Sequence, residues 1–395
     1  MSYYNESISF SPLKKSLIEL AKLQLSRGDL SSAQNLATTM IKLDISASET
    51  ALLLAEISYL KNSIAESIYH YKQILDLNKH DYDAFKSLIE MLNKSGNLAQ
   101  ANTFFQEYDG TGYPGYHFCK GLYNKFVNNP NEALNEFNIC RRDYKWGKEA
   151  IYNMVRIFLN PDGETMGGNV MSSEDEENNQ IVSTCTRLLN QVDPDSTFIE
   201  TKILHAYVIM STKSKNDIER GLEKFLEIIT KQGEYIPALM GSAVGYMLLK
   251  QTPKARNQLK RISKIEFNSE FASDYETCWL LLSDIYIESG KFDMAMQLIK
   301  EVVKYNQSCA KAWEYLGFIM EKEASYKDAA VYYEKAWKLQ EKNNLNVAYK
   351  LAFNYLKASR YVDAVDVCLD VLAKEPEFPK IRKEILDKAR LELRK

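Results

Sequence analysis

Residues 279–330 read WLLLSDIYIESGKFDMAMQLIKEVVKYNQSCAKAWEYLGFIMEKEASYKDAA. One pattern is written there twice. Trp279, Leu282, Ser283 and Tyr286 precede Ala295, while Trp313, Leu316 and Gly317 precede Ala329 and Tyr333, with 34 residues between the tryptophans and 34 between the alanines. Residues three and four apart lie on one face of a helix, so each copy describes an apolar stripe carrying a small residue where a second helix can come close. A third copy follows in Ala348, Leu351, Ala352 and Tyr355, then Ala364 and the closing Pro376.

The same register extends back through the chain. Small residues fall at Ala33, Ser67, Ala101, Ala133, Gly221, Ala255, Ala295, Ala329 and Ala364, at spacings of 34, 34, 32, 88, 34, 40, 34 and 35. The interval of 88 holds two units and an insertion of about 20 residues. Four residues after the anchor stand Tyr71, Phe105, Phe137, Phe225 and Tyr333; twelve before it stand Ala21, Ala55, Gly121, Ala243, Ser283, Gly317 and Ala352. Two small positions let paired helices approach, and the aromatic ring fills the wedge beside them. Five before the anchor come Gly28, Asn62, Gly96, Asn128, Asn216 and Gly290, residues that tolerate left-handed backbone and predict the turn between the two helices.

The pattern W-x2-L-G-x2-Y…A-x3-F at a period of 34 is the tetratricopeptide signature. It predicts an all-α, right-handed superhelical solenoid of about ten helix-turn-helix repeats with a C-terminal capping helix. Trp279, Tyr286, Ala295, Trp313, Leu316, Gly317, Ala329, Tyr333 and Ala364 are its structural positions. The chain divides into N-terminal repeats over 1–160, an acidic loop insertion over 161–180, C-terminal repeats over 181–375 and a capping helix over 376–395. In that cap Ile381, Ile385, Leu386, Ala389 and Leu393 share one stripe, opposite charged residues that include Arg382, Lys383 and Arg390, the predicted partner contacts. A helix begins near Leu13 behind Ser11-Pro12. Nothing before it covers Leu17 and Leu20, so a partner or further repeats are expected there.

Composition narrows the function. The 395 residues carry 50 basic and 53 acidic side chains, a formal charge of −3, without the basic excess of a nucleic-acid binder. Sixteen glycines and nine prolines are about half the average usage, as suits a helical chain. The six cysteines form no CxxC and suggest a reducing compartment; no apolar run is long enough for a membrane helix, and residues 1–10 do not read as a signal peptide.

No catalytic or cofactor signature appears. His70, His80, His117 and His205 form no metal-ligand spacing, and His117 with Cys119 reads as ordinary repeat chemistry. Phosphate-binding and nucleophile-elbow motifs are missing as well. The expectation is therefore no enzyme activity, no cofactor, no metal and no small-molecule substrate. The loop Tyr108–Gly115 reads as a shaped connection or, more plainly, a linker. Ser172 and Ser173 precede an acidic run and could accept phosphate. The positions one and five after the tryptophans, Leu280, Asp284, Glu314 and Phe318, are not a carboxylate clamp. They predict an apolar and acidic concave face suited to a large protein surface.

Several stretches are more specific than the repeat. Trp146-Gly147, Ala150–Met154, Leu159–Asp162, Glu164-Thr165 and Gly167-Gly168 resemble the tetratricopeptide repeat protein 21 family, as do LKQTPKARNQLK at 249–260, WLLLSDIY at 279–286, GFIMEKE at 317–323, YKLAFNYLKASRYVD at 349–363 and PKIRKEILDKAR at 379–390. The resemblance covers residues 118–395 and implies the C-terminal portion of a much longer chain. It also implies a scaffold subunit of intraflagellar-transport complex A, in cytoplasm, cilium and ciliary base, that supports retrograde transport and delivers membrane proteins to cilia. The implied partners are the other complex A subunits, propeller-plus-helical-repeat proteins, with no nucleic acid and no membrane insertion. From the residues alone, the alternative is a cytosolic co-chaperone or linear-motif receptor.

Overall fold

The computed structural model describes residues 14–42, 47–107, 110–160, 175–378 and 380–394, which are helical with short turns and contain no strand among them. The helices alternate in antiparallel pairs. The first unit holds α1 (Lys14–Ser26) with α2 (Leu30–Lys42), α3 (Ala47–Leu60) with α4 (Ile64–Leu77), α5 (Tyr82–Lys94) with α6 (Ala101–Glu107), and α7 (Pro114–Phe126) with α8 (Pro130–Cys140). It continues with α9 (Gly147–Leu159) and α10 (Asp175–Val192), α11 (Ile199–Met210) and α12 (Lys215–Gln232), and α13 (Ile236–Leu248) and α14 (Thr252–Ile262). The second holds α15 (Ala272–Glu288) with α16 (Phe292–Tyr305), α17 (Ala310–Lys322) with α18 (Tyr326–Leu339), α19 (Leu345–Lys357) with α20 (Tyr361–Lys374), and the closing α21 (Asp387–Leu393).

The two compact units are Met1–Asp274 and Tyr275–Lys395, so the division falls in the first turn of α15 and not at the insertion. The insertion separates nothing, because α9 and α10 pack together across it. One core runs from Phe118 and Phe137 through Trp146, Ile151 and Val155 to Cys185, Leu189 and Leu204. Helix α10 also starts at Asp175, so residues 175–180 are helical where a loop was expected. Ser172 and Ser173 lie outside the described residues.

Every anchor residue is buried, as are all seven small residues twelve positions earlier. Their contact with the aromatic position is direct. A Cβ built on Gly121 would stand 2.7 Å from Phe137 Cε1, and one on Gly317 would stand 2.9 Å from Tyr333 Cδ1. Only glycine admits the ring so near the backbone.

The turns show a backbone rule that overrides residue type. Positive φ occurs five residues before eight of the nine anchors: at Gly28, Asn62, Gly96, Asn128 and Gly290, but also at Lys250 (58°), Ala324 (58°) and Ser359 (61°). Each closes a Schellman turn. At Ala324, for example, the Ala324 N–H donates to Glu321 O at 3.1 Å and the Ser325 N–H to Met320 O at 2.9 Å. Asn216 departs from the expectation. It lies inside α12, which starts early behind the Ser214 cap, and Lys213 takes the left-handed conformation instead (61°).

Both ends also differ from the sequence reading. Leu17 packs into a cluster with Ala21, Ala33, Ala37, Met40, Leu53 and Ile57, and Leu20 is also buried, so neither leucine waits for an outside cover. At the other end a π turn, Arg382–Leu386, precedes α21. Its wider pitch turns Ile381, Ile385, Leu386 and Ala389 together onto Val367, Cys368 and Val371, while Leu393 is 49% exposed and belongs to no seal.

Candidate binding faces

The structural positions lie where helices meet. Trp279 is buried with its ring stacked on Tyr305 at 6.0 Å, and the Ser283 hydroxyl donates to Trp279 O at 2.6 Å. Trp313 is only half-buried. Its indole N–H donates to Gln307 O at 2.8 Å, Tyr332 stacks at 5.9 Å, and the Lys335 ammonium sits 4.3 Å from the ring centroid. Tyr286, Ala295, Leu316, Ala329, Tyr333 and Ala364 are buried.

Several of the first helices carry polar side chains that pair from one repeat to another. In the second unit Lys350 Nζ stands 2.6 Å from Glu314 Oε1, and Asn354 donates to Glu321 Oε2 at 2.7 Å. Burial pushes the Asp284 carboxyl up, while a hydrogen bond with Tyr315 works against that. Leu280 is buried and Glu314 is neutralised by Lys350, so this face is less acidic than the four sequence positions indicated.

In the first unit the row is mixed in charge. Lys86 Nζ is 2.5 Å from Glu149 Oε2, Lys125 Nζ donates to Asn153 Oδ1 at 2.8 Å, and the Arg156 guanidinium lies 2.9 Å from Glu200 Oε1. Burial, helped by the nearby Arg156 charge, pulls the Lys125 ammonium down to about 8. Burial pushes the Glu90 carboxyl up and the Asp274 carboxyl up to about 6; Arg156 opposes the latter shift. All three groups are half-buried, and Lys86, Lys94 and Lys125 draw the Glu90 carboxyl back toward its ionised form.

The predicted contacts on the cap, Arg382, Lys383 and Arg390, are all exposed and form no ion pair within 4 Å among the described residues, whereas Glu384 between them accepts from the Tyr349 hydroxyl at 2.6 Å. Residues 108 and 109 lie outside the described residues, and the part of the loop over 110–113 is packed against its neighbours. A Cβ on Gly110 would meet the Tyr116 ring at 2.3 Å, His117 Nε2 is 3.0 Å from Thr111 O, and Tyr113 stacks on His80 at 4.8 Å.

His117 Nδ1 is 2.7 Å from Glu136 Oε2, whose other oxygen is 2.8 Å from Lys120 Nζ, while the Cys119 thiol is aimed at Tyr82 O. The two residues therefore serve different neighbours. Among the described residues no group of three or more His, Cys, Asp or Glu side chains could hold a metal. Burial raises the thiols of Cys140, Cys185 and Cys368 to about 12, so they stay protonated near neutrality. No described helix is long and apolar enough to cross a membrane.

Stacked helix pairs with polar rows along their first helices define a helical-repeat scaffold for protein interaction. A family model for the "Tetratricopeptide repeat protein 21 C-terminal ARM domain" matches residues 184–390, and one for the "TT21 fifth ARM repeats domain" matches 48–159. The chain belongs to the tetratricopeptide repeat protein 21 family. It is 40% identical to Tetratricopeptide repeat protein 21B of Xenopus laevis over 100% of its own length and 31% of that relative. The corresponding figures are 48%, 78% and 25% for protein 21B of Homo sapiens, and 38%, 99% and 31% for human protein 21A. The chain thus spans about a third of the relatives it matches. Although those models carry the armadillo term, each repeat among the described residues is a two-helix pair.

Proposed function

We propose that this chain is a non-catalytic scaffold segment of intraflagellar-transport complex A, acting in retrograde ciliary transport and in the delivery of membrane proteins to cilia. Family membership along the whole chain is the observation that carries this reading. The mixed polar rows and the three exposed cap cations supply surfaces on which the other subunits, propeller-plus-helical-repeat proteins, would dock. Its location on this reading is the cytoplasm, the cilium and the ciliary base.

The test is affinity purification of the tagged chain from ciliated cells, with mass spectrometry of the co-eluting proteins. Near-equal recovery of the other complex A subunits is expected, with lower recovery when Arg382, Lys383 and Arg390 are replaced by Glu. Recovery of chaperones in their place would overturn the ciliary reading in favour of a cytosolic co-chaperone. Undiminished recovery with the triple variant would remove the cap from the interface.

A further inference from the structure

A cleft of about 680 Å³ opens in the first unit where the end of α10, the turn over 193–198 and helices α11 and α12 converge. The turn is tightly made. Ser196 takes positive φ (50°), and the buried Asp193 carboxylate accepts from the Thr197 N–H at 2.9 Å, the Thr197 hydroxyl at 3.0 Å and the Phe198 N–H at 2.7 Å. Those bonds fix the chain path into α11 by holding the Thr197 and Phe198 N–H groups.

Lys202 on α11 and Lys224 and Lys231 on α12 line the cleft, the last two being seven residues apart and hence on one face. None of the three ammonium groups has an ion pair within 4 Å among the described residues. His205 lines the same space, and its Nε2 is shut off from solvent without a hydrogen-bond partner. A buried polar atom of this kind is normally paired, so the imidazole reports on any change in the adjoining cleft. Burial and the adjacent Lys224 charge hold the imidazole below its ordinary value, against the pull of Asp193.

The remaining lining decides the ligand class. Asp195 and Glu227 offset two of the three lysines, and Ser196, Thr197, Asn190 and Gln232 add hydroxyl and amide groups. Only Ile199 and Ile228 of the twelve lining residues are apolar, so the cleft does not suit an apolar body. A carboxylate would engage one ammonium. An anion with several oxygens can engage more than one of the three lysines together with the hydroxyl and amide groups beside them. We propose that this cleft binds a small phosphate-bearing ligand.

The test is a pyrophosphate titration of the full chain, followed through the imidazole NMR signals of its four histidines. His205 is expected to shift saturably with a Kd of about 1 mM or tighter, while sodium chloride at matched ionic strength leaves it in place. Lys224 and Lys231 are exposed on α12, so the variant K224Q/K231Q should keep its helicity and melting temperature while losing affinity by about tenfold or more. No His205 shift up to about 10 mM pyrophosphate would overturn the proposal. So would a shift reproduced by salt alone, or equal affinity in the variant.

Discussion

The ring of Tyr333 lies flat against the backbone of Gly317, so that a Cβ built on Gly317 would stand 2.9 Å from Cδ1 and 2.9 Å from Cγ. These residues sit sixteen apart on α17 and α18, and their contact sets how closely the two helices approach. Gly317→Ala should therefore overpack the pair and cost about 1–3 kcal/mol, as should Ala295→Leu or Ala329→Leu at the buried anchors. Urea unfolding measures this. In a Tyr333→Leu background the Gly317→Ala cost should shrink, and an equal cost in both backgrounds would refute the contact as its cause.

Among the non-glycine residues in left-handed backbone, Lys250, Ala324 and Ser359 have no side-chain preference for it. Lys250→Gly, Ala324→Gly and Ser359→Gly should each stabilise the chain by about 0.5–1 kcal/mol, because relief of the steric clash exceeds the added freedom of the unfolded glycine. Gly290→Ala, at φ 70°, should cost about 1 kcal/mol. Thermal melts of the four variants should rank in that order about the parent.

Lys125 gives a pH signature. Its folded value of about 8 lies below the ordinary 10.5, so the penalty for its buried charge is fully present below pH 8 and is relieved as the pH rises toward 10.5. The melting temperature of Lys125→Met relative to the parent should accordingly be most favourable near pH 7 and decline steadily toward pH 10. A difference independent of pH across that window would show that the ammonium is well solvated.

The cap contributes core, not only charge. Ile385 is fully buried against the last repeat, so Ile385→Ala should cost about 2–4 kcal/mol, read by denaturant midpoint, whereas Leu393→Ala should cost less than about 0.5. Equal effects would mean that the π turn does not direct the stripe as described.

The anchors and their aromatic partners were legible because Ala, Gly and aromatic side chains report close packing through size alone. Turns at Gly28, Gly96 and Gly290 were legible for the same reason. Those at Lys250, Ala324 and Ser359 were not, since the turn imposes its backbone on residues with no preference for it. Asn216 misled in the opposite direction, carrying the right chemistry at a position taken over by an earlier helix cap. The polar rows were invisible because Lys125 meets Asn153, and Arg156 meets Glu200, across 28 and 44 residues, and no local pattern encodes such pairings. The cleft around His205 is likewise a product of three helices. Its one sequence trace is the spacing of Lys224 and Lys231, which taken alone describes a solvated helix face.

The π turn at 382–386 has a mechanical meaning. In the second unit each helix pair holds mainly to its sequence neighbours, so a tensile load entering through the C-terminus would be carried in series. The weakest joint then governs rupture. By swinging four apolar side chains onto α20 within a single short segment, the widened turn acts as a latch at the point where such a load enters. The force needed to strip α21 from α20 would set the tension at which the helix pairs of the second unit begin to peel.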